Sequence, residues 1–129
     1  MTKPVLIVGG GPAGLSAAHA LASAGQKVVL VEKEDRLGGA PILDGYAKLV
    51  PSHEWAKDAI GAMVDRVQGR EGVDVRLNAQ VQSFDGEPGA FTATLKDGTK
   101  IEAGSTILTT GFTHFDSVNK PEWGFGTYP

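Results

Sequence analysis

Three glycines and one glutamate hold most of the chemistry that residue type and spacing can suggest in this chain. Gly9-x-Gly11-x-x-Gly14 directly follows the apolar run Val5 to Val8, and Glu32 closes the next apolar run. Each position has a physical task. Gly9 permits a tight turn from strand to helix. Gly11 leaves the backbone open to a pyrophosphate, and Gly14 lets a helix lie close to its strand. A helix starting here points its first amides and the positive end of its dipole at phosphate. Pro12 offers no amide, but its fixed φ suits the first helical position, which Ala13 continues. Glu32 can accept hydrogen bonds from both ribose hydroxyls of an adenosine, and its charge disfavours a 2′-phosphate and hence NADP. Lys33, next along, is grouped with it as a nucleotide contact. A glycine fingerprint alone is weak. Here a strand precedes it, a helix follows it and an acid ends the second strand, which is the required context. The competing reading is a glycine-rich turn beside a solvated glutamate.

The elements that must position these residues form a β–α–β unit. Val5 to Val8 lacks polar alternation and predicts a strand covered on both faces, as in a parallel sheet. Leu15, Ala18, Leu21 and Ala22 recur at helical spacing up to Ala24, with Gly25 in the C′ position. Lys27 to Val31 predicts the second strand. A loop rich in Gly and Pro follows, from Arg36 to about Val50. Ser52 then has the character of an N-cap. Ala56, Ile60, Met63, Val64 and Val67 form an apolar stripe, so His53 to Gln68 predicts an amphipathic helix. Val73 to Leu77 predicts a third strand. From Gln80 the period changes to alternation: Gln80 to Asp85, Phe91 to Leu95 and Thr99 to Ala103, with Asp97-Gly98 as a hairpin turn. Thr106 to Thr110 predicts a last strand, ended by Gly111. The expected fold class is therefore α/β, a Rossmann-like open parallel sheet with a small antiparallel β-meander at about 79–104. Residues 1–129 are expected to form a single dinucleotide-binding domain.

Composition narrows the function classes. The chain has 129 residues, 41% hydrophobic and 21% charged, an ordinary globular mixture. With a net charge of −3 and no Lys/Arg cluster, it gives no support to a nucleic-acid role. No apolar run reaches the length of a membrane span. The first residues do not read as a signal peptide, so the expected location is cytoplasmic. There are no cysteines, which excludes disulfides and thiolate-ligated clusters within these residues. His19, His53 and His114 have no metal-ligand spacing, and no metal site is expected. No residue stands out as a catalytic acid or base. His53 is either a surface residue at a helix start or a neighbour of a bound ring.

The fingerprint does not separate FAD from NAD. Arg36-x-Gly38-Gly39 and the placement of the meander make the chain resemble the FAD domain of two-dinucleotide-binding-domain flavoproteins, the glutathione-reductase-like superfamily. The resemblance implies FAD as cofactor, with the Arg36, Gly38 and Gly39 loop near the pyrophosphate. It also implies a main-chain contact to adenine at Val81 and a Thr-x-Gly-type turn at Thr109-Thr110-Gly111, which brings Thr110 and Gly111 to the site. The bland alternatives are a surface arginine at Arg36 and a strand core residue at Val81. Phe115-Asp116 and Pro121-Glu122-Trp123-Gly124-Phe125-Gly126 resemble the corresponding segment of the A-type subunits of heterodisulfide reductase and their relatives, which include quinone-interacting oxidoreductase subunits. Those relatives carry cysteine-ligated clusters. They also continue into a further strand whose Gly-Asp acid holds the ribityl chain, and often into a second, NAD-binding domain. The expectation is that the adenosine and pyrophosphate half of an FAD site lies in these residues and the flavin half largely does not.

Three functions follow. One is a FAD-binding redox module or subunit of a flavin-dependent electron-transfer complex. Another is a nucleotide-binding module, for ADP or NAD, without redox activity. The last is an assembly subunit with an empty site. Trp123, Phe125 and Tyr128, in an irregular glycine-rich tail, suggest self-association or docking in a larger redox complex. The alternative is that they fold back over the chain's own sheet.

Overall fold

The computed structural model describes residues 2–128. Four parallel strands form the main sheet: β1 (Val5–Val8), β2 (Val28–Val31), β3 (Val73–Arg76) and β7 (Ser105–Leu108), in the order β3-β2-β1-β7. Helix α1 (Pro12–Ser23) joins β1 to β2. A short helix α2 (Ala40–Leu43) and the longer α3 (Ala56–Val67) lead to β3. Strands β4 (Val81–Glu87), β5 (Ala90–Leu95) and β6 (Lys100–Ala103) form a separate antiparallel meander before the chain returns to β7.

The two central strands are covered on both faces, which is why β1 and β2 carry continuous apolar runs. Ile7, Val28 and Leu30 point toward the helices and pack with Leu15, Ala18, Ile60 and Val67. Their neighbours Leu6, Val29 and Val31 pack with Ala93, Leu95, Ile101 and Ala103 of the meander. The two-residue period of a strand thus sorts one short run into two cores. Val5 to Val8 pair in register with Val28 to Val31 on one side and with Ser105 to Leu108 on the other. β1 is therefore central. The chain moves outward from it through β2 to β3, then crosses back to place β7 on its opposite side. In such sheets a crevice opens at the strand C-termini where the order reverses.

The α/β class, the four strands, the meander and the glycine stop at Gly25 (φ 80°) agree with the sequence reading. The Asp97-Gly98 turn also forms, with Gly98 at φ 89° and the Leu95 amide donating to the Thr99 carbonyl at 2.8 Å. The Asp97 carboxylate accepts the Thr99 amide at 2.9 Å. The Thr99 amide, and then its hydroxyl, hold the Asp97 carboxyl below the usual range. That contact operates at neutral pH and is lost as acid protonates the group.

Several boundaries differ. The helix expected from His53 begins at Ala56, and its N-cap residue is Trp55, not Ser52. Ser52 Oγ instead accepts the Glu54 amide at 3.3 Å. A bridge between Lys48 and Trp55 closes residues 48–55 into a tight loop, and His53 takes φ 61°, outside the helical region. β3 stops at Arg76 and β7 at Leu108, short of the expected Leu77 and Thr110. α2 lies in the stretch expected to be loop; its single turn is too short to carry a periodic signal. In the tail, two 3-10 turns (Ser117–Asn119 and Pro121–Trp123) are the only regular structure among the described residues. Its aromatics do not fold back over the sheet: Trp123, Phe125 and Tyr128 are 67%, 61% and 78% exposed.

Candidate nucleotide-binding site

A cavity of about 590 Å³ opens at the C-terminal ends of β1, β2 and β7, where Val8, Val31 and Thr109 lie in its wall. That volume is in the range of small-molecule sites. Its position follows from the sheet order, because β1 is where the connections diverge.

The three fingerprint glycines divide into two kinds. Gly9 has φ 111°, and a Cβ on it would collide with the Thr109 carbonyl. A Cβ on Gly14 would collide with the Gly9 carbonyl and stand 2.9 Å from Thr109 Oγ1. Both are glycine because α1 leaves the sheet at very close approach. Gly11 is different. Its φ of −80° is open to any residue, and the nearest atom to an added Cβ is Gly39 Cα at 3.6 Å. Gly11 keeps the cavity wall bare where Pro12, Ala13 and Gly39 also line it.

Gly11 is the N-cap of α1 and has no side chain with which to cap it. The amides of Ala13 and Gly14, in the first turn, have no acceptor among the described residues. A pyrophosphate fits this arrangement: uncapped amides at the positive end of a helix, beside a backbone left clear by glycine.

Glu32 supplies the second polar feature. It is 7% exposed, lines the cavity, and is the only buried charged side chain among the described residues. Its Oε2 accepts the Gly10 amide at 2.7 Å and its Oε1 accepts the Glu34 amide at 3.0 Å. These bonds fix the carboxylate against the glycine turn. Each oxygen keeps a further acceptor position, which suits a ribose diol. Glu32→Ala is expected to cost about 1–3 kcal/mol in stability, since the buried Gly10 amide and the half-buried Glu34 amide lose their acceptor, and a comparable amount in nucleotide affinity. Thermal unfolding and nucleotide titration on the same sample would show both losses.

Thr109 pins the turn from the other side. Its hydroxyl lies 3.0 Å from the Val8 carbonyl and 2.9 Å from the Gly9 carbonyl, and it donates between them. Sequence reading passed over Thr109 in favour of its neighbours; its place at the end of a strand paired with β1 was the available signal. Thr109→Val should lower stability by about 1 kcal/mol, readable as a reduced denaturation midpoint.

The remaining sequence-named residues separate by location. Lys33, Val81, Thr110 and Gly111 line the same cavity as Glu32 and Gly11. Ala79 N donates to the Glu32 main-chain carbonyl at 3.0 Å, which ties the approach to β4 to the end of β2, and Ala79, Val81 and Glu32 line the same cavity. Arg36 and Gly38 are not in the cavity wall. Arg36 pairs with its neighbour Asp35 at 3.1 Å on the surface. Gly38, at φ 124°, gives its side-chain space to Ile42 and supports α2. Its amide donates to Gly10 O at 2.9 Å, so the loop supports the glycine turn through backbone. Residues that sequence reading did not single out, among them Leu43, Asp44, Tyr46 and Phe112, complete the far end of the cavity. Among the described residues, no cluster of His, Asp and Glu is arranged to hold a metal, and no helix is long and apolar enough to cross a membrane.

Strand order and glycine turn define a Rossmann-like α/β protein of the dinucleotide-binding kind. The chain belongs to the FAD dependent oxidoreductase family, whose model matches residues 4–118. It is 37% identical over 92 residues to an iron-sulfur subunit (A 1) of the CoB–CoM heterodisulfide reductase of Methanopyrus kandleri, covering 71% of this chain and 14% of that protein. Among solved structures it is similar to L-proline dehydrogenase from P. horikoshii, with a TM-score of 0.74 and 25% identity, covering 86% of this chain and 23% of that one. Lactococcus lactis thioredoxin reductase shares the fold, with a TM-score of 0.75 at 24% identity, covering 89% of this chain and 37% of that one. The chain thus spans about a seventh of the length of the heterodisulfide reductase subunits it matches.

Proposed function

We propose that this chain is the FAD-binding module of a flavin-dependent oxidoreductase and works as part of a larger electron-transfer assembly. The observation that carries the proposal is the uncapped α1 N-terminus, with Gly11 bare and Glu32 held beside it. In this reading residues 1–129 act as one dinucleotide-binding unit. The amides of Ala13 and Gly14 receive the pyrophosphate, Glu32 the ribose, and the main chain at Val81 the adenine edge. Lys33 adds positive charge to the cavity wall. Thr110 and Gly111 border the far end, while Arg36 and Gly38 act through the loop that carries Gly39. The isoalloxazine, when bound, supplies the electron chemistry, and the protein contributes position and electrostatics. No acid or base in these residues is assigned a catalytic role.

Relatives named as subunits of heterodisulfide reductase support an assembly rather than an isolated enzyme. The exposed aromatics of the tail, with Leu108 73% exposed on the edge strand β7, supply a surface for it. In this reading that surface meets either a second copy or a further redox protein, in the cytoplasm. Trp123→Ser with Phe125→Ser should shift the protein to a smaller species in analytical ultracentrifugation. An unchanged sedimentation profile, with native partners also retained, would remove the tail from the account.

A nucleotide-only module is a distinct second reading, because the uncapped α1 amides and Glu32 both serve an ADP moiety. Titration with FAD and with ADP separates the two. Tighter binding of FAD supports the flavin module; equal affinity supports the second reading.

A further inference from the structure

Three side chains at one end of the cavity answer to no part of an ADP site. The contact path along the wall runs from Ala79 to Glu32, across Gly10 and Gly11 to Gly39, then along α2 to Asp44 and Tyr46. At that far end His114 Nε2 lies 2.9 Å from Asp44 Oδ2 and 3.3 Å from Tyr46 Oη. The His114 ring forms T-shaped pairs with Phe112 and Tyr46, with ring centroids 5.0 Å and 6.3 Å apart. Asp44, Tyr46 and Phe112 line the cavity, and His114 ties them together from behind.

This tie is non-local and isolated. Asp44 and Tyr46 are anchored on α2, the first as its C-cap and the second through its amide to Pro41 O at 3.0 Å. Phe112 belongs to the segment after β7. Among the described residues, that segment makes no backbone hydrogen bond to the rest of the protein beyond Thr109, and its side-chain hydrogen bonds to the rest are the two of His114. His114 therefore decides whether Phe112 and Tyr46 stand as one aromatic wall.

We propose that His114 is a positioning residue for the flat ring system that extends beyond the pyrophosphate. By gripping Asp44 and Tyr46 it holds Tyr46 and Phe112 as an aromatic wall and gives the site its preference for FAD over ADP. The inference rests on the flavin-module reading and concerns the far end of the cavity alone.

Titration of the full chain with FAD and with ADP tests it, with bound-flavin fluorescence followed in the same samples. His114→Ala should weaken FAD binding by about tenfold, the scale of one lost aromatic contact, with ADP affinity unchanged. Its bound flavin should fluoresce more brightly as the aromatic wall withdraws. His114→Gln, whose amide can still donate to Asp44, should recover most of the FAD affinity. Equal FAD affinity in His114→Ala and the parent would overturn the inference and leave the flavin reading standing. Equal losses for FAD and ADP would also overturn it, since they mean a general structural role. A parent protein with no preference for FAD would overturn both.

Discussion

Gly11→Val should abolish nucleotide binding while leaving the fold intact. The backbone of Gly11 is at φ −80°, so a β-branched residue meets no conformational barrier there. An added Cβ reaches Gly39 Cα at an ordinary 3.6 Å. The two methyls beyond it must enter the space bounded by Pro12, Ala13 and Gly39, where the uncapped amides of α1 would meet a pyrophosphate. A ligand pushed away from the Ala13 and Gly14 amides loses two charge-assisted hydrogen bonds at about 1.5–3 kcal/mol each, enough to drop affinity by more than about a hundredfold. The expected result is a native melting temperature and no measurable binding of FAD or ADP. Unchanged affinity would place the phosphates elsewhere.

Gly14→Ala should do the reverse: damage the fold first, and binding only as a consequence. The new Cβ would collide with the Gly9 carbonyl, a backbone group held by the Thr109 hydroxyl, and crowd Thr109 Oγ1 at 2.9 Å. Neither neighbour is the loose end of a flexible side chain. Relief requires α1 to move off the sheet, which opens the packing of Leu15 and Ala18 against Ile7. Overpacking of this kind costs about 3 kcal/mol. Chemical denaturation should show the midpoint fall sharply, and a midpoint equal to the parent's would mean that α1 does not approach the sheet so closely. The pair of variants separates what the fingerprint does for folding from what it does for the ligand.

The parts of this molecule legible in sequence were those where one short-range pattern served one task. The β1–α1–β2 unit was readable because a glycine turn, a helical stripe and a terminal acid agree within a few tens of residues. The meander was readable because alternation and Asp97-Gly98 are local signals. The misplaced start of α3 has a physical cause. Ser52 follows Pro51 and looks like a cap, but the Lys48–Trp55 bridge keeps the chain looped until Trp55. Arg36 was named by motif, yet it sits on the surface while Gly38 and Gly39 carry the loop's packing. The far wall of the cavity was out of reach of any local pattern. Tyr46 and His114 meet across 68 positions in the chain, and neither has a neighbour in sequence that announces the contact.

The most direct test of the flavin-module account is the absorbance spectrum of the purified protein after addition of FAD and removal of the excess, with mass spectrometry of the nucleotide released on denaturation. The account predicts a yellow protein that releases FAD, and the same treatment of Gly11→Val should yield a colourless one. A folded parent protein that stays colourless, and takes up ADP no more weakly than FAD, would contradict it.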